Sequence, residues 1–340
     1  MRERKSLLAA WVATAVAIGI PATLCSQAGD ATTGPRTSWG DPDLQGIYTS
    51  ATYTPLERPK NLADKEFLTE DEYQHLNGLV TGEGVDPLRA RGVLTTNDHG
   101  ERLERLEQAD PTHYDNAIWL ATEKPRGLST RRTSLITDPP HGRVPARTEA
   151  AKERAERLRE LRSTDSYENR PLAERCMVWR HEGPPMVPAS YNDLYQIFQT
   201  EHNVVIVQEM NINGPRIIPL DGQPHSPASI PLWRGDSRGQ WKGDTLVVET
   251  RNYSGRNPFY ESSESLHVVE RFRRVDAETI HYEFTVSDAD AWEHAWSAEF
   301  PLMQREGPLY EYACHEGNYD IRHILEVARH LDEQAAKGSG

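Results

Sequence analysis

The sequence predicts a mainly β fold, in which an antiparallel meander closes into a barrel decorated with several α-helices. Between Leu194 and Met303, short segments alternate apolar and polar residues, which is the pattern of half-buried strands. Short polar turns join these segments at 200–203, 242–244 and 276–278, and strands separated by so few residues form hairpins. Because a run of hairpins leaves two unpaired edges, we expect the sheet to curl until the edges meet.

The individual strands follow from this alternation in chain order. A short strand is predicted near Ile47, after the turn at Pro42, and another follows Arg132. The segment 215–220 has Pro at both ends, which is typical of a strand at a sheet edge. The strands predicted for the meander are 194–199, 204–208, 215–220, 239–241, 245–250, 266–275, 279–287 and 295–303.

In three segments the residue pattern changes from that of a strand to that of a helix. Thr69 and Glu72 form a capping box that begins a helix over 69–80. The segment 149–162 is rich in Ala, Glu, Arg and Leu, which have high helix propensity. The segment 318–334 starts with an Asn cap and carries an apolar stripe. We expect this last helix to pack on the outside of the barrel and close one end.

The N-terminal residues have the three-part form of a secretory signal peptide. A charged start, an apolar run over 7–24 and a small-residue site follow one another. A membrane anchor is the alternative, but Pro21 interrupts a run rich in Ala, Thr and Gly, so it would span poorly. We predict a signal peptide at 1–28, a flexible lead-in at 29–38 and a single barrel domain at 39–335. The mature protein is then periplasmic or secreted.

The acidic balance of the chain limits its partners. The net charge is −14, and an acidic surface repels phosphate backbones and anionic lipid. We expect no nucleic acid partner and no membrane insertion after signal cleavage. The predicted partner is therefore a small-molecule ligand or substrate. The sequence does not determine the oligomeric state.

Two cysteines follow the predicted signal peptide, Cys176 and Cys314. In an oxidising compartment two cysteines most simply pair. Closing a loop of this length stabilises a fold by about 5 kcal/mol in the chain-entropy model. The alternative is a reactive thiolate at Cys314 beside His315, but an exported thiol tends to oxidise, so we favour the disulfide.

One predicted strand places two candidate residues on opposite faces. His267 and Glu270 are three residues apart, and side chains alternate along a strand. Glu270 shares its face with apolar residues and is expected to be buried, where a carboxylate needs a partner or has a raised pKa. The structural alternative for Glu270 is an ion pair with an Arg, either Arg216 or Arg238.

A histidine paired with a carboxylate in an apolar barrel could remove a proton from carbon and return one elsewhere. We therefore predict a cofactor-independent lyase or isomerase, which acts by elimination, hydration or cyclisation on an apolar or cyclic substrate. The predicted catalytic residues are His225, Asp236, His267 and Glu270. Neither G-x-G-x-x-G nor a P-loop appears, so a classical nucleotide enzyme is not expected. An α/β serine hydrolase is not expected either, because no G-x-S-x-G elbow is recognised.

Two other functions remain open from the sequence. Three histidines, His225, His267 and His315, could bind a divalent metal such as zinc. A carboxylate from Asp236 or Glu316 would complete the site of a hydrolase, although the spacing matches no metal motif. Aromatic side chains could instead line the cup of a small-ligand carrier. The residues predicted to contact a substrate or ligand are Tyr48, Tyr195, Trp233, Trp241, Tyr282 and His315.

Five motifs carry a resemblance that extends over nearly all of the mature chain. They are WGDPDLQGI at 39–47, RIIPLDG at 216–222, WKGDTLVVE at 241–249, LHVVERF at 266–272 and YACHEGN at 312–318. They resemble a family of exported proteobacterial and acidobacterial proteins that has no established activity. Tyr48 stands where the opening motif of that family usually has Trp, which should alter the pocket more than the fold. The β pattern is also similar to lipocalin/calycin-like barrels, in architecture alone.

Overall fold

The structure is a computed structural model of the 340-residue chain. It describes residues 34–81, 93–94, 127–161, 166–179, 182–188, 193–256 and 259–338. The predicted signal peptide and the start of the lead-in lie outside the described residues. Within these described ranges, the helices are too short or too polar to cross a membrane.

The described residues form a ten-stranded antiparallel sheet, which confirms the predicted fold class. The strands are β1 Gly46–Thr49, β2 Ile136–Asp138, β3 Leu194–Gln199, β4 Asn203–Gln208, β5 Arg216–Pro219, β6 Asp236–Lys242, β7 Thr245–Arg251, β8 His267–Arg274, β9 Thr279–Ser287 and β10 Trp296–Gln304. Their order is β5-β4-β3-β1-β10-β9-β8-β7-β6, and β2 pairs with β10 beside this path.

Two meanders build this sheet, and β1 joins them. The strands β3 to β5 and β6 to β10 are connected in sequence order, as the hairpin pattern predicts. β1 pairs with β3 on one side and with β10 on the other. The hydrogen-bonded path therefore runs from β5 to β6 and forms a nearly closed barrel.

The seam of the barrel lies between β5 and β6. Gly239 of β6 faces Ile218 and Leu220 from the β5 side, and a Cβ atom on Gly239 would lie 2.9 and 2.7 Å from their side chains. Such distances are shorter than real Cβ contacts. A side chain at this position would force Ile218 and Leu220 to shift, so glycine favours the close approach of β6 to β5.

The interior of the barrel is filled with large side chains. Along β8, β9 and β10 every second residue is buried, as the period of a strand requires. Tyr282 lies at the centre, with ring centroids 4.9 Å from Phe272 and 5.1 Å from Phe300. Edge-on aromatic contacts of this kind add to the stability that burial alone provides.

The three predicted helices are present: α1 Glu70–Thr81, α2 Glu149–Leu161 and α3 Asp320–Gly338. The Thr69 and Glu72 side chains bond each other's backbone N–H groups at 3.2 and 2.8 Å, which confirms the capping box. The stripe residues Ile321, Ile324, Leu325 and Ala328 of α3 are partly buried, whereas Val327 and Leu331 are 59% and 58% exposed. That α3 closes one end of the barrel stays a prediction.

A segment of the chain itself occupies part of the barrel interior. Tyr253 donates a hydrogen bond to the Pro184 carbonyl at 3.2 Å, and the Met186 N–H donates to the Tyr282 hydroxyl at 2.9 Å. Tyr195 donates to the Val187 carbonyl at 3.5 Å. Three buried tyrosines from different parts of the barrel therefore hold residues 184–187, which we call the plug.

The two cysteines form the predicted disulfide. Cys176 and Cys314 are bonded, and their Cα atoms lie 5.6 Å apart. The bond connects the chain just before the plug to the segment that precedes α3. It therefore links two parts of the chain that are 138 residues apart.

Candidate functional site

Three of the four predicted catalytic residues converge on the outer face of the barrel. Asp236 begins β6 and His267 begins β8, and Glu249 lies on β7 between them. His225 comes from the connection between β5 and β6. We call His225, Asp236, Glu249 and His267 the histidine–carboxylate chain.

The two histidines and two carboxylates alternate along this chain. His225 Nδ1 lies 3.1 Å from Asp236 Oδ2, and its Nε2 lies 3.8 Å from Glu249 Oε2. The other oxygen of Glu249, Oε1, lies 2.7 Å from His267 Nε2. His225 thus stands between two carboxylates, and Glu249 between two imidazoles.

Asp236 is held in the ionised form by its surroundings. Burial acts to raise the pKa of Asp236, but the Ser226 N–H and the His225 and Arg238 side chains outweigh it, so the pKa lies below its usual value. The Ser226 N–H donates to Oδ2 at 2.8 Å, and Arg238 Nη2 donates to Oδ1 at 3.3 Å. Asp236 is therefore a fixed negative charge that orients His225.

Glu249 is also kept ionised. Burial acts to raise its pKa, but hydrogen bonds from Arg251 and His267 lower the pKa below its usual value. Arg251 Nε donates to Glu249 Oε1 at 2.8 Å. Because Glu249 is 38% exposed, it can stabilise charge on the histidines while water still reaches it.

Glu270, the fourth predicted catalytic residue, lies on the opposite face of β8 and points into the barrel. It is fully buried, and its two oxygens accept hydrogen bonds from both Arg216 Nη atoms and from the Tyr282 hydroxyl. Arg216 also donates to Ser237 on β6 at 3.1 Å and to Thr250 on β7 at 3.3 Å. The pair with Arg216 is the structural alternative predicted for Glu270, and it bridges the seam of the barrel.

The residues predicted to contact a ligand occupy three different environments. Tyr48, Tyr195 and Tyr282 are fully buried in the core. Trp241 is partly buried and packs against that core, and Trp233 is partly buried on the connection that carries His225. His315 is exposed beside the disulfide. The structure does not bring these six residues to a common surface, and their role in binding stays a prediction.

The three histidines of the alternative metal site do not form one ligand set. In the part of the chain that the structure describes, no group of three or more His, Cys, Asp or Glu side chains is placed to hold a metal ion. His225 and His267 approach each other through Glu249, whereas His315 lies beside Cys314.

Glu249 is the member of the site that the sequence-based prediction missed. The turn at 243–244 places Glu249 opposite Arg238 of β6 and opposite Val269 of β8. His267 is two residues from Val269 and is therefore its neighbour on the same face, diagonal to Glu249. The predicted meander pairs β7 with β8, but no short turn joins these strands, so the register that makes this contact could not be read from the sequence.

A second pattern also escaped the prediction. Residues 235–239 read Gly-Asp-Ser-Arg-Gly, which matches G-x-S-x-G. In a hydrolase, the serine of this motif is exposed at a turn between a strand and a helix. Here Ser237 lies within β6, points inward and bonds Arg216 and Thr250. The match therefore does not form a nucleophile elbow.

No family model, no curated protein and no solved structure matches this chain. The geometry of the site is therefore the basis for the proposal that follows.

Proposed function

We propose that the protein is an exported acid–base enzyme, a lyase or isomerase that acts on a small apolar or cyclic molecule at the histidine–carboxylate chain. The observation that carries the proposal is the position of His225, whose Nδ1 lies 3.1 Å from Asp236 Oδ2, while its Nε2 is buried without a hydrogen-bond partner among the described residues, 3.8 Å from Glu249 Oε2. A histidine oriented by a carboxylate on one nitrogen can act as a general base through the other.

In the proposed reaction the substrate reaches the buried Nε2 of His225 by displacing the groups that cover it. Nε2 then removes a proton from a carbon atom of the substrate, and Asp236 stabilises the resulting imidazolium. The electron pair left on carbon either expels a leaving group from the adjacent carbon or shifts a double bond. His267, whose Nε2 is bonded to Glu249, returns a proton to the leaving group or to the distal carbon. The first outcome is an elimination and the second an isomerisation.

The plug favours this proposal over a small-ligand carrier. A lipocalin-type carrier holds its ligand inside the barrel. In this chain the Pro184–Val187 backbone is bonded to Tyr195, Tyr253 and Tyr282 in that interior, and Met186 is 1% exposed. A reaction on the outer face requires no space inside the barrel.

The disulfide supports export. Bonds between structural cysteines form and persist in oxidising compartments and are rare in the cytosol. The Cys176–Cys314 bond is consistent with the predicted signal peptide at 1–28. We therefore propose a periplasmic or secreted location.

Deuterium exchange tests the proposed proton transfer without a known product. The protein is incubated in D2O with a panel of cyclic ketones, β-hydroxycarbonyl compounds and unsaturated terpenoid-like molecules. Loss of a C–H signal by NMR reports removal of a proton. We expect exchange with at least one compound class, and about a hundredfold or greater loss of it in His225→Asn.

A matched control comes from another histidine–carboxylate pair on the barrel. His281 Nε2 lies 3.4 Å from Glu299 Oε2 on the outer faces of β9 and β10, away from His225. His281→Asn should retain full exchange. Exchange that is equal in the His225 and His281 variants would contradict the proposal. Ligand-induced stabilisation without exchange would favour a carrier.

A further inference from the structure

The position of His225 depends on the connection between β5 and β6 rather than on the sheet itself. Residues 221–224 and 227–232 are exposed on either side of His225 and Ser226. Few apolar contacts hold such a segment, so its position must come from its polar attachments. The contacts that attach residues 226–232 to the barrel therefore determine the position of His225.

Asn252 fastens this loop at both of its ends. Its side-chain Nδ2 donates to the Ser226 carbonyl at 2.5 Å, and its backbone carbonyl accepts from the Leu232 N–H at 2.9 Å. Asn252 directly follows β7, the strand that carries Glu249. One residue beside the site thus closes the loop 226–232.

Ser226 transmits this attachment to His225. Its carbonyl bonds Asn252, while its N–H donates to Asp236 Oδ2 at 2.8 Å. The same oxygen of Asp236 lies 3.1 Å from His225 Nδ1. Moving Ser226 away from Asn252 would therefore also disturb the contact between His225 and Asp236.

The backbone conformation of Asn252 limits which residue types could make these contacts at this position. Its φ is +60°, in the left-handed region that glycine and asparagine adopt most readily. Glycine would accept the conformation but has no donor for Ser226. Aspartate would keep the shape but would place a carboxylate oxygen against the Ser226 carbonyl. Asparagine satisfies both the backbone and the hydrogen bond.

From these contacts we propose that Asn252 is the positioning residue of the site, which holds His225 between Asp236 and Glu249. This role in turnover rests on the proposed function. The placement of His225 itself does not, and it can be measured in the absence of any substrate.

The test compares Asn252→Gly and Asn252→Asp with the unmodified protein. Amide hydrogen exchange at Ser226 and Leu232 reports the loop, and the imidazole nitrogen spectrum reports the His225 contact with Asp236. In Asn252→Gly we expect exchange at Ser226 to become roughly tenfold faster and the His225 Nδ1–H signal to be lost or shifted. Asn252→Asp should change both readouts in the same direction.

Gln304→Glu provides the control, because Gln304 is exposed at the end of β10 and the change adds the same charge away from the loop. It should leave both readouts unchanged. Unchanged His225 signals in Asn252→Gly would overturn the proposal, as would equally faster exchange throughout β8 and β9. If His225→Asn retained full deuterium exchange into substrates, the proposed function would fail, while the spectra of the Asn252 variants would still decide what holds His225.

Discussion

Glu270 and Glu249 lie on neighbouring strands of the same barrel, but their surroundings give them different roles. Glu270 points inward, is fully buried and is bonded by Arg216 and Tyr282. Glu249 points outward, is partly exposed and lies between His225 and His267. A buried carboxylate fully occupied by an arginine stabilises one arrangement of strands. A partly exposed carboxylate that stays ionised beside two imidazoles can orient them for proton transfer.

Replacing Glu270 with Gln should destabilise the fold strongly. The change leaves the buried Arg216 guanidinium without a counter-charge, and breaking a buried ion pair in this way costs about 3–5 kcal/mol. Glu283→Gln is the control, because its pair with Arg271 is partly exposed and is worth less than about 1 kcal/mol. Urea unfolding measures both variants. Equal losses would show that the Arg216 pair does not contribute through burial.

Alkaline pH should destabilise the protein through its buried tyrosines. Burial raises the pKa of Tyr48, Tyr195, Tyr253 and Tyr282 above the usual value of about 10. The folded state therefore keeps protons that the unfolded state releases, so this stability is complete below pH 10 and is lost as the pH rises further. Absorbance titration should show a smaller rise near pH 10 for folded than for urea-unfolded protein. Identical curves would contradict the burial of these hydroxyls.

At the scale of elements, the plug depends most on Tyr282. Its hydroxyl accepts from the Met186 N–H and donates to Glu270, so Tyr282→Phe leaves a buried donor and acceptor each without one partner. We expect a loss of about 1–3 kcal/mol and faster amide exchange at Met186. Tyr195→Phe removes a 3.5 Å contact to Val187 and an interaction with Ser50, but no hydrogen bond to Glu270, and should cost less. The reverse order in urea unfolding would contradict this account of the plug.

The local elements of the barrel could be predicted from the sequence, but its closure could not. Alternation and turn residues predict the hairpins of β3–β4, β6–β7 and β8–β9 because these signals lie within a few residues. The insertion of β1 between β3 and β10 depends on contacts between residues about 150 and 250 positions apart. No local period reports such a pairing. The plug could not be predicted from the sequence either, because its hydrogen bonds use backbone groups, which are not specific to a residue type.

The same limit explains how much of the candidate site was predictable. His225 and Asp236 are close in sequence and meet across a short connection. His267 joins them through Glu249, which requires the register of β7 against β8, two strands that no short turn joins. Glu270 was correctly expected to be buried, but burial alone could not distinguish catalysis from the ion pair with Arg216.

At the scale of the whole molecule, the Cys176–Cys314 disulfide should contribute a large share of the stability. It closes a loop of 138 residues, and a loop of that size corresponds to about 5 kcal/mol in the chain-entropy model. Folded globular proteins are typically stable by only about 5–15 kcal/mol. We therefore expect the double variant Cys176→Ser/Cys314→Ser to lower the urea midpoint markedly. A reductant should have the same effect on the unmodified protein but none on the variant.

Because the bond lies outside the histidine–carboxylate chain, deuterium exchange into substrates should persist under conditions where the variant remains folded. A thiol probe that labels both cysteines in unreduced, unfolded protein would contradict the bond, and an unchanged midpoint would contradict its energetic role.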